Sequence, residues 1–260
     1  MARLRIALLL MLVVVMGVAV PISAAGTPGT GEEKQTATLS PYWSPRVQRW
    51  SPYIVEAAQA RQLDPDFLAS LVWMESRGDP RAVGPVGAVG LMQVMPKEAG
   101  FSWRPSRQAL MDPQTNLQAG CRTLVDIVHQ GRGDLFNTLA AYNGGWEQIM
   151  YRGPRYFATT IMRDYAAAVA LRYGLEPGAA WQAIFAPRSG ERIVGPIWVV
   201  DTRRPDVFYF GDNLHLPDGS LLVPSGIPPA SIVARYRLDD RPAEIVVWLY
   251  DARTQQWLTP

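Results

Sequence analysis

The carboxyl group of Glu75 stands on an otherwise apolar face of a predicted helix. Asp64 can cap the start of this helix, because its side chain can accept hydrogen bonds from free backbone N–H groups. Leu68, Leu71 and Val72 lie seven, four and three positions before Glu75, so all four side chains share one face. A carboxyl group on such a face is either a satisfied structural group or an acid whose pKa is raised for use.

The elements that must position Glu75 are predominantly helical from about residue 50 to residue 175. Further helix starts are predicted at Ser51, Asp112 and Asp134, and Gly174 ends the last helix. The stretch from 174 to 191 is interpreted as a joint. Beyond it, short runs such as "IWVV", "VFYF", "SLLV" and "EIVVWLY" predict strands. The expected fold class is therefore α+β, a mainly α-helical domain followed by a small β-rich C-terminal module at 190–260.

The N-terminal segment has the layout of a secretory signal. A basic start precedes an unbroken apolar run and small residues, which predicts a signal peptide over 1–25. An uncleaved membrane anchor is the alternative, and it would be the only contact of the chain with a membrane. The polar, Gly-, Thr- and Pro-rich residues that follow predict a flexible linker over 26–49. The helical domain is expected over 50–175, in the periplasm.

The composition disfavours several other classes of function. The formal net charge is +2, and without Arg3 and Arg5 of the signal the basic and acidic residues are equal in number, so no nucleic-acid partner is indicated. His129 and His215 lack metal-ligand spacing, so neither a metal nor another cofactor is expected. Cys121 falls within an apolar helical pattern and is interpreted as a buried small hydrophobe.

Several separated motifs surround Glu75 in the sequence. They are "ES" at 75–76, "GLMQ" at 90–93, "LAAYNGG" at 139–145 and a late tyrosine, Tyr165. In this order they resemble the catalytic domain of the soluble lytic transglycosylases, which is lysozyme-like and related to goose lysozyme. The resemblance covers about residues 50–175. It implies an enzyme that cleaves the β-1,4 bond between N-acetylmuramic acid and N-acetylglucosamine in peptidoglycan glycan strands.

The chemistry of such a cleavage fits a single buried carboxyl. The leaving oxygen needs a proton, and a carboxylic acid can supply it near neutral pH only if burial raises its pKa. Asp79 and Asp112 are interpreted as turn and cap residues rather than as a second catalytic carboxylate. The resemblance implies that Glu75 first protonates the bridging oxygen and then accepts the proton of the C6 hydroxyl. The products would carry 1,6-anhydro-N-acetylmuramic acid ends.

The resemblance also assigns roles around the glycan and the acid. Ser76 would orient Glu75 or the sugar, Gln93 would lie in the saccharide groove, and Tyr165 would hydrogen-bond to Glu75, with Tyr156 as a substitute. The substrate-binding set implied by the resemblance is Ser76, Gly90, Met92, Gln93, Tyr142, Asn143 and Tyr165.

Three interpretations of function are distinguished. The first is the lytic transglycosylase, whose β module suits local opening of the wall for a secretion, pilus or conjugation apparatus. The second is a hydrolytic muramidase of the goose-lysozyme type, which would activate water. The third is an inactive peptidoglycan-binding scaffold. A buried acid at Glu75 argues against the third, because a pure binding protein has no need of one.

Overall fold

The order of elements along the chain is helices first and strands second. A computed structural model describes residues 38–131, 134–175, 181–189, 192–193, 197–201, 208–211, 232–234, 244–251 and 256–258. The helices are α1 (Pro45–Gln48), α2 (Ser51–Gln59), α3 (Pro65–Ser76), α4 (Pro113–Gly131), α5 (Leu135–Gly144) and α6 (Arg152–Arg172). The strands are β1 (Trp181–Ser189), β2 (Arg192–Ile193), β3 (Ile197–Asp201), β4 (Phe208–Gly211), β5 (Ile232–Ala234), β6 (Glu244–Asp251) and β7 (Gln256–Leu258). This order confirms the predicted α+β class.

Three predicted segments lie outside the described residues: the signal peptide at 1–25, the linker residues 26–37 and the "SLLV" strand. In the part of the chain that is described, no helix is both long enough and apolar enough to cross a membrane.

Aspartate side chains begin three of the helices, as the sequence predicts. Asp64 accepts a hydrogen bond from the backbone N–H of Asp66 at 2.8 Å, at the start of α3. Asp112 caps α4 through the N–H of Thr115, also at 2.8 Å. Asp134 caps α5 through the N–H of Asn137 at 3.0 Å. Each cap satisfies an N–H group that has no partner inside its helix.

Residues 38–49 are packed against the helices, so the prediction of a flexible linker is wrong for this part of 26–49. Leu39, Trp43 and Val47 are buried. The Trp43 indole donates a hydrogen bond to Asp66 at 2.8 Å, and the backbone N–H of Ser40 donates to the same carboxylate oxygen at 2.8 Å. Residues 38–44 are not helical, so this burial gives no helical periodicity in the sequence and a composition-based prediction overlooks it.

The β-rich region is one antiparallel sheet in the part of the chain that is described. The strand order is β4-β3-β1-β6-β5, with β2 paired to β1 and β7 paired to β6. Strand β1 is therefore the centre of the sheet, and the interpretation of 174–191 as a joint is wrong for Trp181–Ser189. A module that started at residue 190 would lack this central strand. Residues 182–187 of β1 are all buried, so the strand lacks the alternating pattern that would reveal it in the sequence.

The sheet shares one hydrophobic core with the helices. The Phe136 ring of α5 stacks on Trp198 of β3 with centroids 4.8 Å apart. The ring of Tyr165 of α6 lies beside that of Phe185 of β1, with centroids 6.1 Å apart. Phe185 and Trp198 are cross-strand partners, so both contacts involve the same face of the sheet.

A buried ion cluster joins the start of α3 to the end of α6. The Arg172 guanidinium contacts Asp64 at 2.8 Å and Asp66 at 3.0 Å. Burial alone would lower the pKa of Arg172, but these two carboxylates more than offset it and raise the pKa. The cluster therefore fixes the end of α3 that is remote from Glu75.

Candidate active site

Glu75 lies in the last turn of α3, half-buried beside the core. The helix ends immediately afterwards, because Arg77 adopts a left-handed conformation with φ 55°. Burial raises the pKa of the Glu75 carboxyl to about 8. Among the described residues, none donates a hydrogen bond to this carboxylate or forms an ion pair with it. Nothing in this region therefore stabilises the charged form, and the carboxyl is mostly protonated at neutral pH.

The glycine-rich residues 82–94, here called the 82–94 loop, fold into a compact unit after α3. Val89 pairs with both Val83 and Val94 in antiparallel bridges. The N–H of Gly90 donates to the carbonyl of Ala82 at 2.8 Å. Gly90 has φ 80°, and a Cβ atom there would collide with Asn116 and with the carbonyl of Leu110. Only glycine fits this position.

Asn116 of α4 holds the 82–94 loop from beneath. Its side-chain oxygen accepts the N–H of Met92 at 2.8 Å. Its amide nitrogen donates to the carbonyls of Val89 at 2.8 Å and Leu110 at 2.9 Å. One buried amide thus satisfies three backbone groups, which fixes the loop relative to α4. The resemblance assigned no role to Asn116. The feature of the sequence that could have indicated a role for Asn116 is its position on the apolar face of α4, one turn before Gly120.

Ser76 and Tyr142 join the 82–94 loop to the helices on either side of it. The Ser76 hydroxyl lies 3.0 Å from the carbonyl of Leu91 and 3.1 Å from that of Val72. The Tyr142 hydroxyl of α5 donates to the carbonyl of Met92 at 2.9 Å. Burial raises the pKa of Tyr142 well above its usual value, and the nearby Glu75 carboxylate raises it further. Tyr142 is therefore a neutral neighbour of the acid.

Gln93 and Asn143 are the amide side chains with hydrogen-bonding capacity to spare. Gln93 has φ 47°, and its amide nitrogen donates to the carbonyls of Gly90 at 3.1 Å and Ala82 at 3.2 Å. No donor among the described residues contacts its side-chain oxygen. The Asn143 side chain is exposed and likewise has no partner in the described part of the chain. The side-chain oxygen of Gln93 and the whole amide of Asn143 are available to an external polar ligand.

Two positions of the predicted substrate-binding set act inside the protein instead. The Met92 side chain is fully buried and packs on Gly120, and its role as a substrate-binding residue stays a prediction. Gly90 is buried as well, and its carbonyl accepts hydrogen bonds from the N–H and the side-chain amide of Gln93. Gly90 therefore shapes the tight turn that precedes Gln93.

The predicted hydrogen bond between Tyr165 and Glu75 is wrong. The Tyr165 hydroxyl donates to Asp64 at 3.1 Å, and the side chain is only 2% exposed. Asp64 and Glu75 stand at opposite ends of α3, about 16 Å apart along its axis. Tyr156, the substitute, is 53% exposed, and the next residue, Phe157, stacks on Tyr142 with centroids 6.4 Å apart. Tyr156 is thus the tyrosine of α6 that is open to a ligand.

The site has the groups for proton transfer and polar recognition. Within the described residues, no three His, Cys, Asp or Glu side chains come together as a metal site. Burial raises the pKa of the Cys121 thiol to about 12, so this cysteine is inert. The groups that can act on a ligand are the acid Glu75, the side-chain oxygen of Gln93 and the exposed amide of Asn143, beside the neutral Tyr142.

Comparison with known proteins places these residues in one family. Residues 52–159 match the family model described as the transglycosylase SLT domain. This range contains Glu75, Gln93, Tyr142 and Tyr156 but ends before Tyr165.

Relatives of known function extend the match. The transglycosylase of Enterobacteria phage PRD1 is 28% identical over 214 residues, which cover 82% of this chain and 77% of the phage protein. The endo-type membrane-bound lytic murein transglycosylase A of Klebsiella pneumoniae subsp. pneumoniae is 34% identical over 98 residues. That alignment covers 33% of this chain and 48% of the Klebsiella protein, so the chain spans about half of that relative's length.

Among solved structures, an inactive mutant of a lytic transglycosylase from Pseudomonas aeruginosa aligns with a TM-score of 0.43 and 24% identity. The alignment covers 51% of this chain and 25% of that protein. The family match confirms the lysozyme-like fold predicted for the helical region. Residues 52–159 are therefore identified as a lytic transglycosylase domain of the SLT type.

Proposed function

We propose that the chain cleaves the β-1,4 bond between N-acetylmuramic acid and N-acetylglucosamine in peptidoglycan without consuming water. The observation that carries the proposal is the Glu75 carboxyl, whose pKa burial raises to about 8. A group with this pKa is protonated near neutral pH, which a general acid requires. The charge of no other described carboxyl contributes to this shift, so the site is built around a single acid.

Glu75 serves twice in this reaction. It first gives its proton to the bridging oxygen. This oxygen then departs from C1 and takes the electron pair of the broken bond with it. The resulting carboxylate then accepts the proton of the C6 hydroxyl of the same muramic acid residue. The C6 oxygen closes onto C1 and forms the 1,6-anhydro ring. The proton count balances, because Glu75 ends the reaction protonated, as it began.

The neighbouring residues hold the acid and the sugar in place. Tyr142 fixes the 82–94 loop through Met92 and keeps the surroundings of Glu75 neutral and partly shielded from water. Gln93 and Asn143 offer amide groups to the hydroxyl and acetamido groups of the glycan. Ser76 ties the end of α3 to the same loop, and Tyr156 offers an exposed ring. These assignments are part of the proposal.

Mass spectrometry of digested sacculi tests the reaction. Purified protein and its Glu75→Gln variant are incubated with sacculi, and the released muropeptides are identified. Anhydro-muropeptides from the wild type alone are expected. Asp79→Asn is the matched control, because it removes a nearby exposed carboxylate that accepts only the N–H of Arg81. Reducing ends would support the muramidase instead, and absence of products would support the binding scaffold.

We also propose that the protein acts in the cell envelope after export by residues 1–25. Relatives described as membrane-bound lytic murein transglycosylases, in Serratia proteamaculans and Klebsiella pneumoniae among others, support an envelope location. Cell fractionation and N-terminal sequencing of the mature protein test this proposal. Recovery of uncleaved protein from the cytoplasm would contradict it.

A role in local wall opening for a secretion, pilus or conjugation apparatus is a separate proposal supported by the added β-rich region. Its test requires the full chain, because the sheet buries Phe185 and Trp198 against the helices. Tagged protein is cross-linked in cells and purified, with Glu75→Gln as a control that keeps the surface while removing activity. Recovery of no envelope protein would contradict the role.

A further inference from the structure

The residues that precede the matched domain contact both ends of the helix that carries Glu75. Residues 38–50, here called the 38–50 segment, lie before the range 52–159 that matches the family model. At the start of α3 the Trp43 indole donates a hydrogen bond to Asp66 at 2.8 Å. The far end of the 38–50 segment contacts the turn that follows Glu75. The segment therefore holds α3 at two points about 15 Å apart along the helix axis.

Two donors of the 38–50 segment meet at one backbone carbonyl, that of Gly78. The Arg49 guanidinium and the Trp50 indole each donate a hydrogen bond to this carbonyl at 2.9 Å. The Arg49 guanidinium also lies over the Trp50 ring, 4.8 Å from its centroid, so each side chain holds the other in place. Gly78 is buried, and a buried carbonyl is costly to leave without a donor. The end of α3 is thus tied to the 38–50 segment.

The close contact between the turn and the 38–50 segment requires glycine at position 78. Gly78 has φ 78°, and a Cβ atom there would lie 2.5 Å from the carbonyl oxygen of Arg46. Any other residue would strain the backbone and push the segment away from the turn. The residue type in the turn is therefore matched to the presence of the 38–50 segment.

The turn is linked to the acid through Ser76. The N–H of Gly78 donates a hydrogen bond to the Ser76 hydroxyl at 3.2 Å. Ser76 directly follows Glu75, and its hydroxyl lies 3.0 Å from the carbonyl of Leu91 in the 82–94 loop. A shift of the turn would therefore move the last turn of α3, and with it the Glu75 carboxyl, relative to that loop.

We propose that Arg49 and Trp50 are positioning residues for Glu75, because they fix the turn that follows it. They act through Gly78 and do not contact the reacting atoms. Their effect is to keep the carboxyl aligned with the glycosidic oxygen and shielded from water. A misplacement of about 1 Å can cost about a hundredfold in rate, so a contact three residues from the acid can control turnover. The inference rests on the proposed function, since it names the residues that position its acid.

A double variant that removes both donors tests the inference. Arg49→Met with Trp50→Phe keeps much of the side-chain bulk but leaves the Gly78 carbonyl without a partner. On soluble glycan strands, kcat is expected to fall about tenfold, because the unpaired carbonyl lets the turn shift. KM is expected to stay unchanged, because neither side chain touches the substrate. Each single variant keeps one donor on the carbonyl and is expected to lose much less activity.

A second double variant is the matched control. Arg46→Met with Trp43→Phe makes the same two replacements in the 38–50 segment but keeps both donors to Gly78. It is expected to lower the free energy of unfolding in urea, because Asp66 loses its indole donor, while kcat and KM stay as in the wild type. An equal loss of kcat in the control would overturn the inference, because any loosening of the segment would then suffice.

The kinetic constants of the first double variant also give two results that would overturn the inference. An unchanged kcat would show that the turn does not position the acid. A loss confined to KM would show that Arg49 and Trp50 bind the substrate instead of holding the turn.

A titration distinguishes failure of this inference from failure of the proposed function. The pKa of the Glu75 carboxyl is measured by ¹³C NMR, and the Glu75→Gln variant assigns the signal. Burial raises this pKa to about 8, so its value reports how well the acid is shielded from water. Tyr142, the titratable neighbour of Glu75, stays neutral over this range. In the Arg49→Met, Trp50→Phe variant the pKa is expected to fall by about one pH unit, as water gains access to the carboxyl.

The matched control is expected to keep the wild-type pKa of Glu75. A lower pKa in the first double variant alone supports the inference even if no anhydro product is found on any substrate. Equal pKa values in the wild type and the first double variant would overturn the inference even if anhydro products form normally.

Discussion

As the pH rises, the wild-type protein should lose stability relative to the Glu75→Gln variant. The folded protein holds the Glu75 proton up to a pKa of about 8, whereas the unfolded chain releases it near the usual value of 4.5. Between these values the folded state binds one more proton than the unfolded state, so the free energy of unfolding falls with increasing pH. The glutamine variant has no proton to lose and lacks this contribution.

The size of the effect follows from the two pKa values. Each pH unit in this window costs about 1.4 kcal/mol, and the total from about pH 5 to about pH 8 is about 3.5 kcal/mol. This figure is an upper limit, because Glu75 is half-buried and water screens part of its charge. Most of the change should fall below pH 8, where the folded state is still protonated.

Urea unfolding at a series of pH values measures the difference between the two proteins. Subtracting the variant's unfolding free energies from those of the wild type cancels the contributions of other titrating groups. The Asp79→Asn variant, which removes an exposed carboxylate close to the site, is measured alongside as the control for loss of a carboxyl group as such. A Glu75 difference curve that is flat from about pH 5 to about pH 8 would refute burial as the cause of the raised pKa. Glu75 would then be ionised at neutral pH and could not act as a general acid.

Three further predictions concern the reaction and the framework of the site. Turnover should fall about tenfold per pH unit above the Glu75 pKa of about 8, as the acid loses its proton; a midpoint near 4.5 in initial-rate measurements would contradict this. Asn116→Ala should cost about 3 kcal/mol in urea unfolding and most of the activity, because three buried backbone groups lose their partner; an unchanged midpoint would count against it. Arg172→Leu should destabilise the fold by about 3–5 kcal/mol at neutral pH, because Asp64 and Asp66 would remain buried without a cation; the loss should shrink in acid as Asp66, whose pKa burial already raises, takes up a proton.

The placement of the acid was predictable because it depends on local rules. The spacing of Leu68, Leu71 and Val72 before Glu75 places the carboxyl on the inner face of any regular helix. Asp64 fixes where that helix begins. Neither inference needs knowledge of distant parts of the chain.

The late tyrosine was assigned wrongly because sequence matching did not test which face it occupies. Tyr156 and Tyr165 lie nine positions apart on α6, which is two and a half turns. They therefore point to opposite sides of the helix, and only one of them can be open to a ligand. The structure buries Tyr165 beside Asp64 and leaves Tyr156 exposed.

Strand β1 and the segment before α1 were missed for a different reason. Both depend on partners that are far away in the sequence. Residues 182–187 are buried because β3 and β6 flank them, and Trp43 is buried because Asp66 accepts its indole hydrogen. Local composition carries no record of such partners, so a Gly- and Pro-rich neighbourhood was interpreted as linker or joint.

The contacts of Phe136 with Trp198 and of Tyr165 with Phe185 make helices and sheet a single cooperative unit. Melting the sheet would expose two aromatic rings of the helical region to water, at a cost of several kcal/mol. Local opening of the sheet is therefore coupled to loosening of α5 and α6, and α5 carries Tyr142 and Asn143. A partner that pulls on the sheet would act directly on the precision of the active site.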